Sequence, residues 1–211
     1  MVLIGQYDSP FVRRVGIALY LYGRSWEHWP WSTFGDAEKL AAYNPLRRVP
    51  VLLSEDGAAL IESGAILDYL DEQAERPLLA RAGAARREGL RICALATGLC
   101  DKLVALVYER VLHATTSAVW IARCETQVGG VLAALEVARA AQGGWWGGAA
   151  PATQAVGHAD VALGCALRFL SEAHPELWQA ARYPALAAHA AACEALPAFQ
   201  AVQQTFVAPG R

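Results

Sequence analysis

The sequence has no apolar run approaching the roughly 18 residues needed to cross a bilayer, and its opening Met1-Val2-Leu3-Ile4-Gly5 is too short for a secretory signal. A cytoplasmic chain with no membrane partner is therefore expected. An excess of one charge is also missing. Eighteen basic residues stand against 20 acidic ones over 211 positions, with no long run of either sign, so nothing favours nucleic acid as a partner. The five cysteines, Cys93, Cys100, Cys124, Cys165 and Cys193, make an odd number without a Cys-x-x-Cys spacing. This argues against a disulfide framework and suits buried structural thiols in a reducing compartment. The sequence lacks GxSxG, GxGxxG, P-loop and HExxH motifs, and its five histidines are scattered, so no metal is expected.

Apolar residues, by contrast, make up 55% of the chain, enough for one large core or two modest ones. Short β-rich runs alternate with helical patterns over the first eighty residues. Strands are expected at 2–6, 26–31, 51–53 and 58–61, with hairpin-turn chemistry in Ser54-Glu55-Asp56-Gly57. Helices are expected at 10–22, opened by Pro10, at 36–43, and from Glu62-Ser63 to about residue 74. The resulting order, β-α-β-α-β-β-α, is that of an α/β thioredoxin-like domain over residues 1–77.

Pro77 and Gly83 then punctuate a linker, and from residue 84 to 211 strand signals vanish. Leu90, Cys93, Thr97, Cys100, Val104, Val107 and Val111 recur at three- and four-residue steps, the spacing of one buried helix face. Further helices are expected at about 117–142, 158–172, 184–194 and 197–205, completing an all-α C-terminal domain without internal repeats.

Chemistry is expected first where the opening strand meets the first helix. Ser9 precedes Pro10 there, among free N–H groups and the positive end of the helix dipole, which favour an anion. Ser9 is a poor nucleophile with no activating histidine nearby in sequence, but its hydroxyl can donate to a thiolate brought by a bound cofactor. It can equally serve as a plain helix cap. The run Ser9-Pro10-Phe11-Val12-Arg13-Arg14-Val15 resembles the active-site segment of the glutathione S-transferase superfamily, with serine where thioredoxins carry their first cysteine. Asn44-Pro45-Leu46-Arg47-Arg48-Val49-Pro50-Val51 and Ile61-Glu62-Ser63-Gly64-Ala65-Ile66-Leu67-Asp68-Tyr69-Leu70 resemble two further segments of that family, in the expected order. Trp145-Trp146-Gly147-Gly148 and the stretch from Gly157 to Leu163 extend the likeness across nearly the whole chain. Gly157 stands where the family usually places a Ser or Thr cap three residues before Asp160, which is read as structural.

The resemblance implies glutathione as co-substrate, a cis bond at Val49–Pro50, and backbone pairing of Val49 with the cysteinyl unit. Glu62 and Ser63 would receive the γ-glutamyl end, and Arg48, or alternatively Arg47, the glycine carboxylate. Ser9 would hold the thiolate, with Tyr7 as the alternative. An acceptor site is expected from Tyr7, Phe11, Leu103, Val107 and Tyr108, with Val104 and Arg110 nearby; core packing explains most of these equally well. Asp101 interrupts the apolar face and is read as an exposed or interface charge. The implied activity is attack of the glutathione thiolate on a small hydrophobic electrophile, by a homodimer. The alternative is a non-catalytic glutathione- or partner-binding protein of the same fold, and a disulfide-exchanging transferase is disfavoured by serine at position 9.

Overall fold

Leu3 and Ile4 are wholly buried because β1 (Val2–Ile4) lies inside a four-stranded sheet of order β2-β1-β3-β4. The computed structural model describes residues 1–147 and 155–210; Gly148 and Arg211 lie outside them. β1 runs parallel to β2 (Glu27–Trp29) and antiparallel to β3 (Val51–Leu53), which pairs antiparallel with β4 (Ala59–Ile61). Successive side chains of a strand point to opposite faces, so Leu3 and Leu52 face α1 (Pro10–Leu21) and α3 (Ser63–Glu72). Ile4, Val51 and Leu53 pack instead with Leu40 of α2 (Ala37–Ala41). The order is that of a thioredoxin-like domain, with each element within a few residues of expectation.

The helical part comprises α4 (Gly83–Leu112), α5 (Ala118–Ala141), α6 (His158–Ala173), α7 (Pro184–Glu194) and α8 (Pro197–Ala201), with a 3-10 turn at Pro175–Leu177. α6 is its axis, packed against α4, α7 and also α1, and Val161, Leu163 and Leu170 are completely buried. Asp160 caps this helix: Oδ2 accepts from the Gly157 and Trp146 amides, both at 2.9 Å. Burial pushes its carboxyl up to about 6. The cap that Gly157 cannot make with a side chain is thus supplied from within the helix, and the same carboxylate tethers the loop before it.

Two expectations about this half need correction. The buried face of α4 is centred to one side of the row read from the sequence: Cys100 and Val107 are buried as expected, but Leu90 is 47% exposed and Cys93 only half-buried, whereas Ile92, Ala96, Leu99, Leu103 and Leu106 are fully buried. α4 is covered by both α5 and α6, so its apolar stripe is wide and a single row of positions misplaces its centre. The last helix stops at Ala201 rather than 205, and an irregular segment follows. Four of the five cysteines are buried, and all are free thiols.

The two halves are fastened by Asp71 at the end of α3. It accepts from the Leu78 and Leu79 amides at 2.7 and 3.2 Å, fixing the connection to α4. Tyr22 donates to the same carboxylate, and His158 Nε2 lies 3.3 Å away. Among the described residues no helix is long and apolar enough to cross a membrane.

Candidate functional site

Ser9 is the N-cap of α1, its hydroxyl oxygen accepting from the Val12 amide at 3.4 Å, with Pro10 as the first helical residue. That hydrogen bond is long, and the hydroxyl hydrogen is not used in it, so Oγ can still donate. The first turn of α1 carries no acidic side chain, and the Asp8 carboxylate lies just before its cap. Gly5 sets the helix close to the loop carrying Val49. Its φ is +129°, and a Cβ there would lie 2.6 Å from Val12 Cγ2 and 2.8 Å from Val49 Cβ. The Val49–Pro50 bond is cis.

Two adjacent chambers open between the halves, sharing Phe11, Leu46, Arg48 and Val49 on their walls. The inner one, about 320 Å³, is bounded by Pro50, Glu62 and Ser63 from the first half and by Thr97 and Asp101 from α4. Asn44 shapes its floor: the amide nitrogen donates to Arg48 O at 2.8 Å and the amide oxygen accepts from Leu46 N at 3.0 Å. Glu62 holds φ at +70°, a region that costs a non-glycine residue of order 1–3 kcal/mol and therefore marks a constrained position. Its carboxylate accepts from the Gly64 and Ala65 amides at 2.9 and 3.2 Å, and from the buried Ser63 hydroxyl at 3.3 Å. Glu62 is thus the cap of α3, and two of that helix's free N–H groups are taken by it.

The outer chamber, about 420 Å³, has Ser9 and Asp8 on its wall and is otherwise rich in aromatic side chains. Phe11, Phe34, Phe169 and Phe206 line it, four of the five phenylalanines in the chain, together with Trp31 and Tyr108. Phe34, from the loop before α2, meets Tyr108 of α4 edge-on at 5.5 Å, and Phe206 meets Phe169 of α6 at 5.2 Å. Burial raises the Asp8 carboxyl above its ordinary range.

Of the residues expected at the acceptor site, Phe11, Val107 and Tyr108 line this chamber, and Val104 joins them. Tyr7 and Leu103 do not. Tyr7 stacks flat on His28 at 3.8 Å and accepts from Trp26 Nε1 at 3.2 Å, and burial raises its pKa. Tyr7 does not line the chamber, so of the two hydroxyls expected to hold the thiolate only Ser9 stands on its wall. Leu103 is wholly buried in the core formed with α6. Arg110 pairs with Glu125 and Glu176. Arg48 borders both chambers; Arg47, at φ +52°, borders only the outer one and pairs there with the exposed Glu38. The sequence reading missed Trp31, Phe34, Phe169 and Phe206; only their aromatic character hinted at them, and nothing in their spacing brings them together.

Comparison with known proteins agrees with this architecture. Residues 3–78 match the family model of the glutathione S-transferase N-terminal domain, and residues 118–192 that of the C-terminal domain. A glutathione S-transferase from Methylobacterium radiotolerans, solved with glutathione sulfonate, is 31% identical, with a TM-score of 0.87 over 98% of this chain and 97% of its own. The uncharacterized GST-like protein YibF of Escherichia coli (strain K12) is 33% identical over 111 residues, 52% of this chain and 55% of YibF. The maleylacetoacetate isomerase of Pseudomonas aeruginosa is 36% identical over 106 residues, 48% of this chain and 50% of the isomerase. The chain thus spans about half the length of these two curated relatives.

Proposed function

We propose that this chain, which belongs to the glutathione S-transferase superfamily, binds glutathione across the inner chamber and presents its thiolate beside Ser9 to a small hydrophobic electrophile in the outer one. The observation that carries the reading is that the two chambers lie side by side, with Phe11, Arg48 and Val49 on the wall of both. A tripeptide anchored at the Glu62–Ser63 corner can lie along the Val49 backbone and reach the N-terminus of α1. The glutathione sulfonate bound in the Methylobacterium radiotolerans relative supports the same ligand class here.

In this reading Glu62 meets the γ-glutamyl ammonium, Arg48 the glycine carboxylate, and the Val49 backbone the cysteinyl unit. A free thiol has a pKa of about 8.5, and both the Ser9 hydroxyl and the α1 dipole favour its anion. Sulfur then forms its bond to the electrophilic carbon while the leaving group departs with the displaced electron pair. Ser9 stabilises the nucleophile and takes no covalent part. Two copies of the chain are expected to pair through an isologous interface.

A second reading, glutathione-assisted isomerisation, is favoured by the likeness to the maleylacetoacetate isomerase. There the same thiolate adds and is later expelled, so the product contains no glutathione, and Arg48 between the chambers would face an acidic substrate. Thiolate absorbance followed across pH by stopped-flow tests the common step. A thiol pKa depressed in the wild type, restored toward its free value by Ser9→Ala and unmoved by Tyr7→Phe, is expected. Saturable glutathione binding without depression, and no rate above background across an electrophile panel, would leave a glutathione-binding protein without turnover.

A further inference from the structure

The segment after α8 carries no regular structure, yet it is fastened at four points by groups far away in sequence. Arg13 Nε donates to Val202 O at 2.8 Å, and the Tyr7 amide donates to Gln204 Oε1 at 3.1 Å. The Phe206 amide then donates to Glu172 Oε2 at 2.9 Å, and the next amide, Val207, to Asp8 Oδ2 at 3.4 Å. Successive backbone N–H groups of an irregular strap are thus taken by two carboxylates, one at the end of α6 and one beside Ser9. The Phe206 ring closes edge-on against Phe169. Phe206, Val207 and Pro209 form part of the outer chamber wall.

Glu172 does not stand alone. It pairs with Arg168, which lies 3.2 Å from Glu194, which in turn forms a two-pronged pair with the buried Arg13 guanidinium at 2.7 and 2.8 Å. Arg13 sits in α1, one turn beyond Ser9. The strap is therefore referenced to the same helix that carries the reacting end of the site, and a fixed distance between the two is what a chamber needs to measure its occupant.

We propose that residues 202–210 are the selectivity wall for the acceptor, with Phe206 its contact residue and Glu172 the positioning residue that seats it. The acceptor class this selects carries an apolar group reaching several carbons beyond the electrophilic atom, far enough to touch Phe206. The inference rests on the glutathione reading above.

The test uses isothermal titration of the full chain with glutathione, S-methylglutathione and S-hexylglutathione, whose alkyl groups stand in for the acceptor. The wild type should prefer the hexyl over the methyl ligand. Phe206→Ala should lower that preference about tenfold, the burial of one large apolar side chain, and Glu172→Ala about threefold. Glu172→Gln, which keeps a carbonyl oxygen for the Phe206 amide, should recover most of it. A purely structural role would weaken all three ligands alike and leave the ratio unmoved. An unchanged hexyl-to-methyl ratio in both alanine variants, with glutathione still bound, overturns the inference alone; a wild type that binds no glutathione overturns the underlying reading and the inference with it.

Discussion

The two chambers of the cleft are built in opposite ways. Apart from Phe11, which it shares with the outer one, the inner chamber takes from the first half only residues of one loop, Asn44 to Pro50, and of one strand end and helix start, Ile61 to Ser63, all within twenty positions and held by local hydrogen bonds. Walls of the outer one come from the start of α1, the loop at Trp31–Phe34, α4, α6 and the strap, and one of its tethers joins residues 199 positions apart. A site made by a short stretch of chain presents backbone groups in fixed geometry, which suits an invariant ligand such as a peptide cofactor. A site made by converging side chains can change its shape without disturbing the other, which suits a variable acceptor. Substitutions in the two chambers should therefore separate: the inner set should move cofactor binding, the outer set acceptor selection, and only their junction should move both.

Gly5 packs directly behind Val49, one of the residues shared by both chambers, and should show the largest effect. Gly5→Ala places a methyl group 2.6 Å from Val12 and 2.8 Å from Val49 at a φ that side chains rarely adopt, so a loss of more than about 3 kcal/mol is expected in urea unfolding. A variant within 1 kcal/mol of wild type would mean that α1 and the Val49 loop are not held as closely as described. Ser9→Ala comes next. Losing one donor to a reacting anion lowers kcat about a hundredfold, while the lost cap costs only about 1 kcal/mol of stability; steady-state kinetics beside a thermal melt separates the two. If activity and stability fall in proportion instead, Ser9 is a cap and nothing more.

Glu62→Gln is smaller and sharper. The amide keeps an oxygen for Gly64 and Ala65 but loses the charge offered to a ligand ammonium, so glutathione should bind about fivefold more weakly, with stability within about 0.5 kcal/mol of wild type. Equal affinity in calorimetry would assign Glu62 to the helix alone.

This division also explains what could be read from the sequence. Strand and helix order came through because the apolar alternation of Leu3, Ile4 and Val51 to Leu53 has only one way to bury both faces of a small sheet. The turn in the loop at 44–50 and the start of α3 were legible for a related reason, because turn and cap chemistry are properties of adjacent residues; the cis bond at Pro50 came only from the family resemblance. The wide stripe of α4 was misplaced because two helices cover it, which one periodic row cannot express. Tyr7 and Leu103 were drawn toward the cleft by proximity along the chain, yet His28, Trp26 and α6 hold them in the interior. Phe169 and Phe206 are invisible as a pair until α6 and the strap are packed, since no local rule links residue 206 to residue 8 or 172.

The mildest test of the comparison is Phe34. It lies 45% exposed in a loop, and its ring meets only the edge-on face of Tyr108 across the mouth of the outer chamber. An aromatic pair of this kind contributes about 0.5–1.5 kcal/mol beyond its buried area, so Phe34→Ala should raise the acceptor KM roughly threefold to tenfold with the glutathione KM unchanged. Tyr108→Ala should do the same, and the double variant should be no worse than the poorer single one, because each ring is held in place by the other. Additive losses would show that the two rings contact the acceptor independently. A shift in the glutathione KM would be more telling still, because it would mean that the loop before α2 also sets the inner chamber and that the two are not separable.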